Sequence, residues 1–371
     1  RLITEVRTAL NEKSIISITG HCFTYKKSIQ YWVLQDMLRH FLNLSGNETQ
    51  NDLIRIITGH IKNLPNQNKP ETVQLLLWIL GVLKQADFQK TRVSLLDPQQ
   101  LQREVFLIVR DVIFQTAATQ PVVLLFEDMH WADESSLQFL SFISRQMVDM
   151  PVMVVVATRT LTEEHFDTLI QTAGKELGDR LELLSLDRLD ASASQQLVQN
   201  LFHPHLIPEQ VTARLVNLGN GNPFFLEELV RMLIEKGLVH YEEGWRSTEE
   251  QLEEFSLEIP DTIQGLILSR FDRLSAVQRR LLQVASIIGR DFNSHLLREV
   301  LKITDPILFD EILQQLVERG ILERYSDFKG QDFRFTHVLM SDTIYSSLLS
   351  GDKSELHGLI GQSIELLYHN R

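Results

Sequence analysis

Cysteine is almost missing. Cys22 is the only one in 371 residues, so no intrachain disulfide and no multi-cysteine zinc site can form. A lone thiol of this kind is expected to stay reduced, which fits a cytoplasmic protein. Basic residues are scarce too: 36 Lys and Arg against 49 Asp and Glu leave a formal charge of −13. General nucleic-acid binding needs a basic face, so nucleic acid is not an expected partner. Long apolar runs are absent. The longest, such as Val152 to Ala157, fall far short of the ~20 residues needed to span a bilayer. There is no signal-peptide pattern either, and no membrane association is expected. H-E-x-x-H, G-x-S-x-G and G-x-G-x-x-G do not occur, which leaves metalloprotease, α/β-hydrolase and dinucleotide chemistry without a carrier. His203-Pro-His205 has no partners at metal-ligand spacing and reads as a loop. The phosphate-loop pattern G-x-x-x-x-G-K-[ST] is also missing. The nearest candidate, Gly20 to Lys27, has Tyr25 where the second glycine belongs and Lys27 where the hydroxyl belongs. A Cβ at that tyrosine would block the nest of backbone N–H groups.

What is present is an ordinary globular composition, with 43% apolar and 23% charged residues. Its length suits two or three domains. The most informative stretch is Pro121-Val-Val-Leu-Leu-Phe-Glu-Asp-Met-His-Trp-Ala-Asp-Glu-Ser-Ser136. Val122 to Phe126 form a short apolar run, as in a strand buried on both faces of a parallel sheet. It ends in adjacent carboxylates, Glu127 and Asp128, at the strand's carboxyl end, where open α/β sheets place ligands. Carboxylates there can hold Mg²⁺ through its waters and orient a water toward a phosphate. An acidic pair after a strand is also compatible with a plain solvated loop. Asp133 precedes Leu137, Phe139, Leu140 and Ile143 and predicts a helix N-cap. Trp131 is expected to pack.

The whole string resembles the Walker B segment of STAND-type ATPases, signal-transduction relatives of AAA+ proteins. Within them it is similar to the branch linked to class III adenylate and guanylate cyclases, LuxR-type regulators and some kinases. Gly219-Asn-Gly-Asn-Pro-Phe-Phe-Leu-Glu-Glu-Leu229 carries the resemblance a second time. Its glycines, a capping Asn222 and Pro223 at a first helical position also make sense as turn chemistry alone. The resemblance implies ATP or ADP with Mg²⁺, a phosphate loop just before Arg1, and Pro223 near the adenine base. Pro151-Val-Met-Val-Val-Val-Ala-Thr-Arg159 predicts a second buried strand, which the resemblance makes the sensor-1 strand. A guanidinium at Arg159 can fork onto phosphate oxygens; a surface pair with Glu163 or Glu164 is the plainer alternative. Phe335-Thr-His-Val-Leu339 matches as well, and implies that His337 touches the nucleotide; a capping or core histidine is the alternative.

Elsewhere, Leu2, Ile3, Val6, Ala9 and Leu10 share one helical face. Ile15 to Ile18 with Gly20 predict a short strand and turn. Helical spacing recurs over residues 28–62, 73–83 and 99–114, with a polar loop at 63–70. Leu181 to Leu186 predict a strand closing the sheet. Residues 192–237 read as helices broken at Pro204, Pro208 and Gly219, and an acidic linker around a hairpin at Gly244 follows. Helices at 263–274, 276–288, 294–301 and 306–319 precede a wing-like hairpin at 320–325 and 332–336. Arg279, Arg280, Arg290 and Arg298 could offer DNA contacts, but the acids among them favour packing. Ile344 to Leu367 suggest a helix pair opening a superhelical repeat.

The expected fold is therefore α/β. A P-loop NTPase-like parallel core spans 1–190, a helical lid with acidic linker 191–258, a winged helix 259–338, and the start of a TPR-like repeat 339–371. The expected function is an ATP-binding and ATP-hydrolysing regulatory switch, a segment of a larger signalling protein. Glu127 and Asp128 are its metal and water-activating residues, helped by Arg159, while Asn222, Pro223 and His337 hold nucleotide. Expected partners are ATP, an attached output domain (cyclase, kinase or DNA-binding) and proteins bound by the repeat. The alternatives are a nucleotide sensor or scaffold without hydrolysis, and a winged-helix DNA-binding regulator.

Overall fold

The computed structural model describes residues 2–22, 29–44, 48–62, 69–83, 85–159, 164–202, 208–235, 239–240, 244–245, 262–324 and 332–368. The phosphate-loop candidate at Tyr25 and Lys27, the His203–His205 pair and nearly all of the acidic linker lie outside these residues. The chain divides into two compact units, residues 1–183 and, apart from 328–330, residues 184–371.

The first unit is built on a parallel sheet ordered β1 (Ile16–His21), β2 (Val122–Glu127), β3 (Val152–Val156). Val122, Leu124, Leu125 and Phe126 are each no more than 2% exposed, so the central strand is covered on both faces, as its unbroken apolar run predicts. The register pairs Ile16 with Val122 and Leu124 with Val154, bringing all three carboxyl ends to one rim. Gly20 is a strand residue and not the turn expected of it. A Cβ there would meet Val33 Cγ1 at 2.9 Å, so the glycine lets the helix Trp32–Phe41 lie close against β1. The helix Pro98–Ala117 leads into β2; Asp97 caps it in a reciprocal box with Gln100, and Pro98 takes a first-turn position. Helices Leu2–Glu12, Gln50–Ile61, Lys69–Ile79, Glu134–Ser144 and Glu164–Leu177 complete the unit. Pro70, expected in a loop, sits in a helical first turn, where proline loses nothing by lacking its N–H.

Leu181–Leu186 form no strand. This segment has no assigned secondary structure, and Leu183, Leu184 and Leu186 are 67–79% exposed. The leucine-rich segment predicted a strand, but among the described residues no strand pairs with it, and without a partner apolar residues make no ladder.

The second unit starts with three helices, Ala191–Phe202, Glu209–Gly219 and Pro223–Glu235, around Val198, Leu215, Leu226, Leu229 and Leu233. A two-stranded hairpin, Val239–His240 with Gly244–Trp245, falls where the sequence placed it. Helices Ile263–Asp272, Ala276–Ile288, Ser294–Leu301 and Pro306–Glu318 follow. A small antiparallel sheet orders Asp291–Phe292, Phe333–Phe335 and Leu322–Arg324, and its short first strand was not foreseen. Arg279 donates to the carbonyls of Asp272 and Leu274, a packing role. Helices Val338–Ser347 and Ser350–Tyr368 place Met340, Ile344, Leu356 and Ile360 in the core that also holds Leu281, Leu313 and Phe335. No helix among the described residues is long and apolar enough to cross a membrane.

Candidate functional site

The rim of the parallel sheet gathers charge. β2 ends at Glu127, and Asp128 follows in a left-handed conformation (φ 56°, ψ 37°) that few residues other than glycine adopt. Both neighbouring strands hold this turn in place. Cys22 N–H donates to the Glu127 carbonyl at 3.1 Å, and Met129 N–H donates to the Ala157 carbonyl at 3.0 Å.

Glu127 is engaged. Its Oε1 lies 2.5 Å from Arg7 Nη2 and 3.7 Å from His21 Nε2. His21 ends β1 and is itself fixed, with Nδ1 3.0 Å from Asp36 Oδ2 and its backbone N–H donating to the same oxygen at 3.1 Å. Both contacts on Glu127 fall on one oxygen, which leaves Oε2 available among the described residues. The half-buried Asp128 carboxylate has no hydrogen-bond or ion-pair partner among them. Arg7, His21 and Asp36 were not picked out from the sequence. Arg7 stands 120 positions from Glu127, and no local pattern signals a pair at that distance.

Asp133 does more than the predicted capping. Its Oδ1 accepts from Ser136 N–H at 3.1 Å and from Tyr31 N–H at 3.0 Å. Tyr31 is itself left-handed (φ 61°) and sets its ring edge-on to Trp78 and Phe106. Trp131 packs against the core, as expected. Burial, and then the charges of Asp133, Asp128 and Asp36, push the Cys22 thiol well above its ordinary pKa, so it stays protonated.

Arg159 follows β3 and is exposed, with no ion pair among the described residues. Glu163 lies outside those residues, as does the side chain of Glu164, so neither pair expected for Arg159 falls within the described structure. An open, largely apolar groove of about 580 Å³ involves Ile54, Val73, Leu77 and Leu83, and none of the strand-end residues lines it.

In the second unit, Asn222 caps the helix Pro223–Glu235 through Oδ1, which accepts from Phe225 N–H at 3.2 Å; Pro223 opens the helix. Gly221 (φ +71°) packs so closely on Leu189 that a Cβ would lie 2.4 Å from its carbonyl oxygen. His337 stands at the N-cap position of the helix Val338–Ser347 but makes no side-chain cap bond, so the capping alternative is not realised. Its ring lies 4.0 Å, centroid to centroid, from Phe224. Burial, then Arg231 and Arg290, push its pKa down to about 4. Glu228, which the sequence left without a role, is wholly buried against Arg270.

Among the described residues no group of three or more His, Cys, Asp or Glu is placed to hold a metal. A cation at the rim would therefore use one or two carboxylates and take its remaining oxygens from water and phosphate. That is the usual manner of Mg²⁺, and the oxygen-only pair at Glu127 and Asp128 fits it.

Residues 1–155 match the family model described as AAA ATPase domain, and residues 190–247 match a family described only as a domain of unknown function. The uncharacterized protein R02095 of Rhizobium meliloti (strain 1021) is 23% identical over 296 residues, covering 78% of this chain and 26% of that protein. Adenylate cyclase type 10 of Oryctolagus cuniculus is 20% identical over 351 residues, covering 82% of this chain and 21% of that protein. The chain thus spans about a quarter or less of either relative. A Signal Transduction ATPase with Numerous Domains (STAND) protein with a tetratricopeptide repeat sensor, from Pyrococcus horikoshii, superposes with a TM-score of 0.49 at 12% identity. That overlay covers 98% of this chain and 45% of the other, and at such a score it carries no argument of its own. Over residues 1–155, then, the chain is similar to the AAA ATPase domain family.

Proposed function

We propose that the chain is the nucleotide-dependent switch of a larger signalling protein, one that binds and hydrolyses ATP. The observation that carries this is the Glu127–Asp128 pair. It closes the central strand of a parallel sheet at its carboxyl rim, inside the segment that matches an AAA ATPase domain.

Glu127 and Asp128 would hold Mg²⁺, which when bound offsets the charge of the terminal phosphates. Glu127, fixed by Arg7 and His21 through one oxygen, would turn its second oxygen toward the cation. Asp128, without a partner among the described residues, would orient the attacking water and accept its proton. Arg159, exposed at the end of the neighbouring strand, supplies a fork for the γ-phosphate. Asn222 and Pro223 shape the turn that covers the base, and His337 reads the phosphates. Because its pKa lies low, His337 would do so as a neutral ring. Residues 191–258 would form the lid, and residues 259–338 a winged helix, with both closing when ATP binds. The attached output domain, cyclase, kinase or DNA-binding, responds to that closure, and the last helix pair begins a repeat for protein partners.

The absence of G-x-x-x-x-G-K-[ST] from these 371 residues favours a second reading, a scaffold that neither binds nor hydrolyses nucleotide. Displacement of a fluorescent ATP analogue from the natural full-length protein, with Mg²⁺ and with EDTA, separates the two. Mg²⁺-dependent binding is expected. No binding under either condition would leave the scaffold.

A further inference from the structure

Glu228 takes no part in the site above, yet it is 0% exposed, and its partner Arg270 is 3% exposed. Glu228 lies on the helix Pro223–Glu235 and Arg270 on the helix Ile263–Asp272, and one guanidinium nitrogen, Nη1, donates to the Glu228 carboxylate. The other, Nη2, donates to Glu235 Oε1 at 2.6 Å and to the Arg319 carbonyl at 2.8 Å, just past the helix Pro306–Glu318. A single side chain thus ties two turns of one helix to the ends of two others. Arg231, one turn from Glu228, covers Gly320 so closely that any Cβ there would run into its guanidinium. Phe224 adds its ring contact with His337.

Buried ion pairs are poor stabilisers: well-packed apolar residues of the same volume usually do as well or better. This pair is not even fully satisfied, since Glu228 Oε1 and Arg270 Nε have no hydrogen-bond partner among the described residues. What such a pair has been found to supply in some proteins is position. An apolar contact tolerates sliding, whereas a buried carboxylate and guanidinium accept only the arrangement in which they meet.

We propose that Glu228, Arg270 and Glu235 form a latch that joins helices 209–235 to the domain 262–368 as one body, so that the two move together. Its bearing on closure over ATP rests on the function proposed above; the latch itself does not.

The test is the distance between spin labels at Asn217→Cys and Glu311→Cys in the full natural chain. Both positions are exposed, and Cys22, at 3% exposed, stays unlabelled. One narrow distance distribution, unchanged by ADP or by ATP, is expected. It should broaden in Glu228→Leu/Arg270→Met, which keeps the volume and removes the polar register. A second population in the unsubstituted protein, or a nucleotide-driven shift of about 5 Å (a one-turn slide), would overturn the latch. So would an unchanged distribution in the folded double variant. Should that variant not fold, Glu228→Gln replaces it, with the same broadening expected. The comparison of variants needs no nucleotide, so failure of ATP to bind would count against the proposed function and leave the latch tested.

Discussion

Arg7 places Nη2 2.5 Å from Oε1 of Glu127, so the residue that closes the central strand is held by a helix 120 positions earlier in the chain. The pair is partly exposed, with 30% and 20% of the two side chains accessible, and solvent screens it. Arg7→Met is expected to cost about 1 kcal/mol in urea unfolding. The larger effect falls on catalysis, because Glu127 loses a fixed orientation. In the natural protein kcat should fall while the affinity for nucleotide changes little. An unchanged kcat would show that Arg7 does not position Glu127.

Gly20→Ala tests how tightly the rim is built. The added Cβ would meet Val33 Cγ1 at 2.9 Å and the Val33 carbonyl at 3.1 Å, and the backbone atom cannot step aside cheaply. A loss of about 1–3 kcal/mol is expected from overpacking. A neutral result would mean that the helix Trp32–Phe41 shifts freely against β1.

The Glu228–Arg270 pair makes a prediction about stability as well as motion. Arg270→Met strands the buried Glu228 carboxylate and should cost about 3–5 kcal/mol; Glu228→Leu, which leaves Arg270 its bond to Glu235, should cost less, and the double variant should lie near the parent. A double-mutant cycle in denaturant measures this. Equal costs for the single and double changes would contradict a buried ion pair.

His337 gives the second unit a pH dependence. Its pKa of about 4 lies below the ordinary value of 6.5 because burial, Arg231 and Arg290 oppose its charge. As pH falls through 6.5 the unfolded chain takes up a proton that the folded chain refuses until about pH 4, so stability falls across this window. The full shift corresponds to about 3 kcal/mol. The ring is only half-buried, and screening brings the expected loss to ~1–2 kcal/mol. Unfolding midpoints between pH 7 and 4 measure it, and His337→Gln should flatten the slope.

Much of the rim was legible because its signals are local. An apolar run bounded by Pro121 and two acids defines β2, and Asp133 caps the next helix where its spacing said it would. Long-range partners left no such trace. Nothing around Glu127 foretells Arg7, and nothing around Glu228 foretells Arg270, because each pair is made by folding. Leu181–Leu186 failed for a related reason. A leucine-rich run does not state whether another strand lies beside it, and here Leu183, Leu184 and Leu186 remain exposed. Gly20 misled because a glycine that relieves crowding looks the same in sequence as one that turns the chain.

Residues 1–371 on their own carry no glycine-rich cradle for phosphates, and ATP should bind them more weakly than about 100 μM. Calorimetry of this segment checks the point. Low-micromolar affinity would require a phosphate site other than the family's loop.

Single-turnover ATP hydrolysis by the full natural protein, compared with Asp128→Asn, is the most direct measure of the switch. A drop of about 10²–10⁴-fold in the rate, with ATP still bound, is what a water-activating carboxylate predicts. Hydrolysis at the parental rate in Asp128→Asn, or none in either protein, would contradict it.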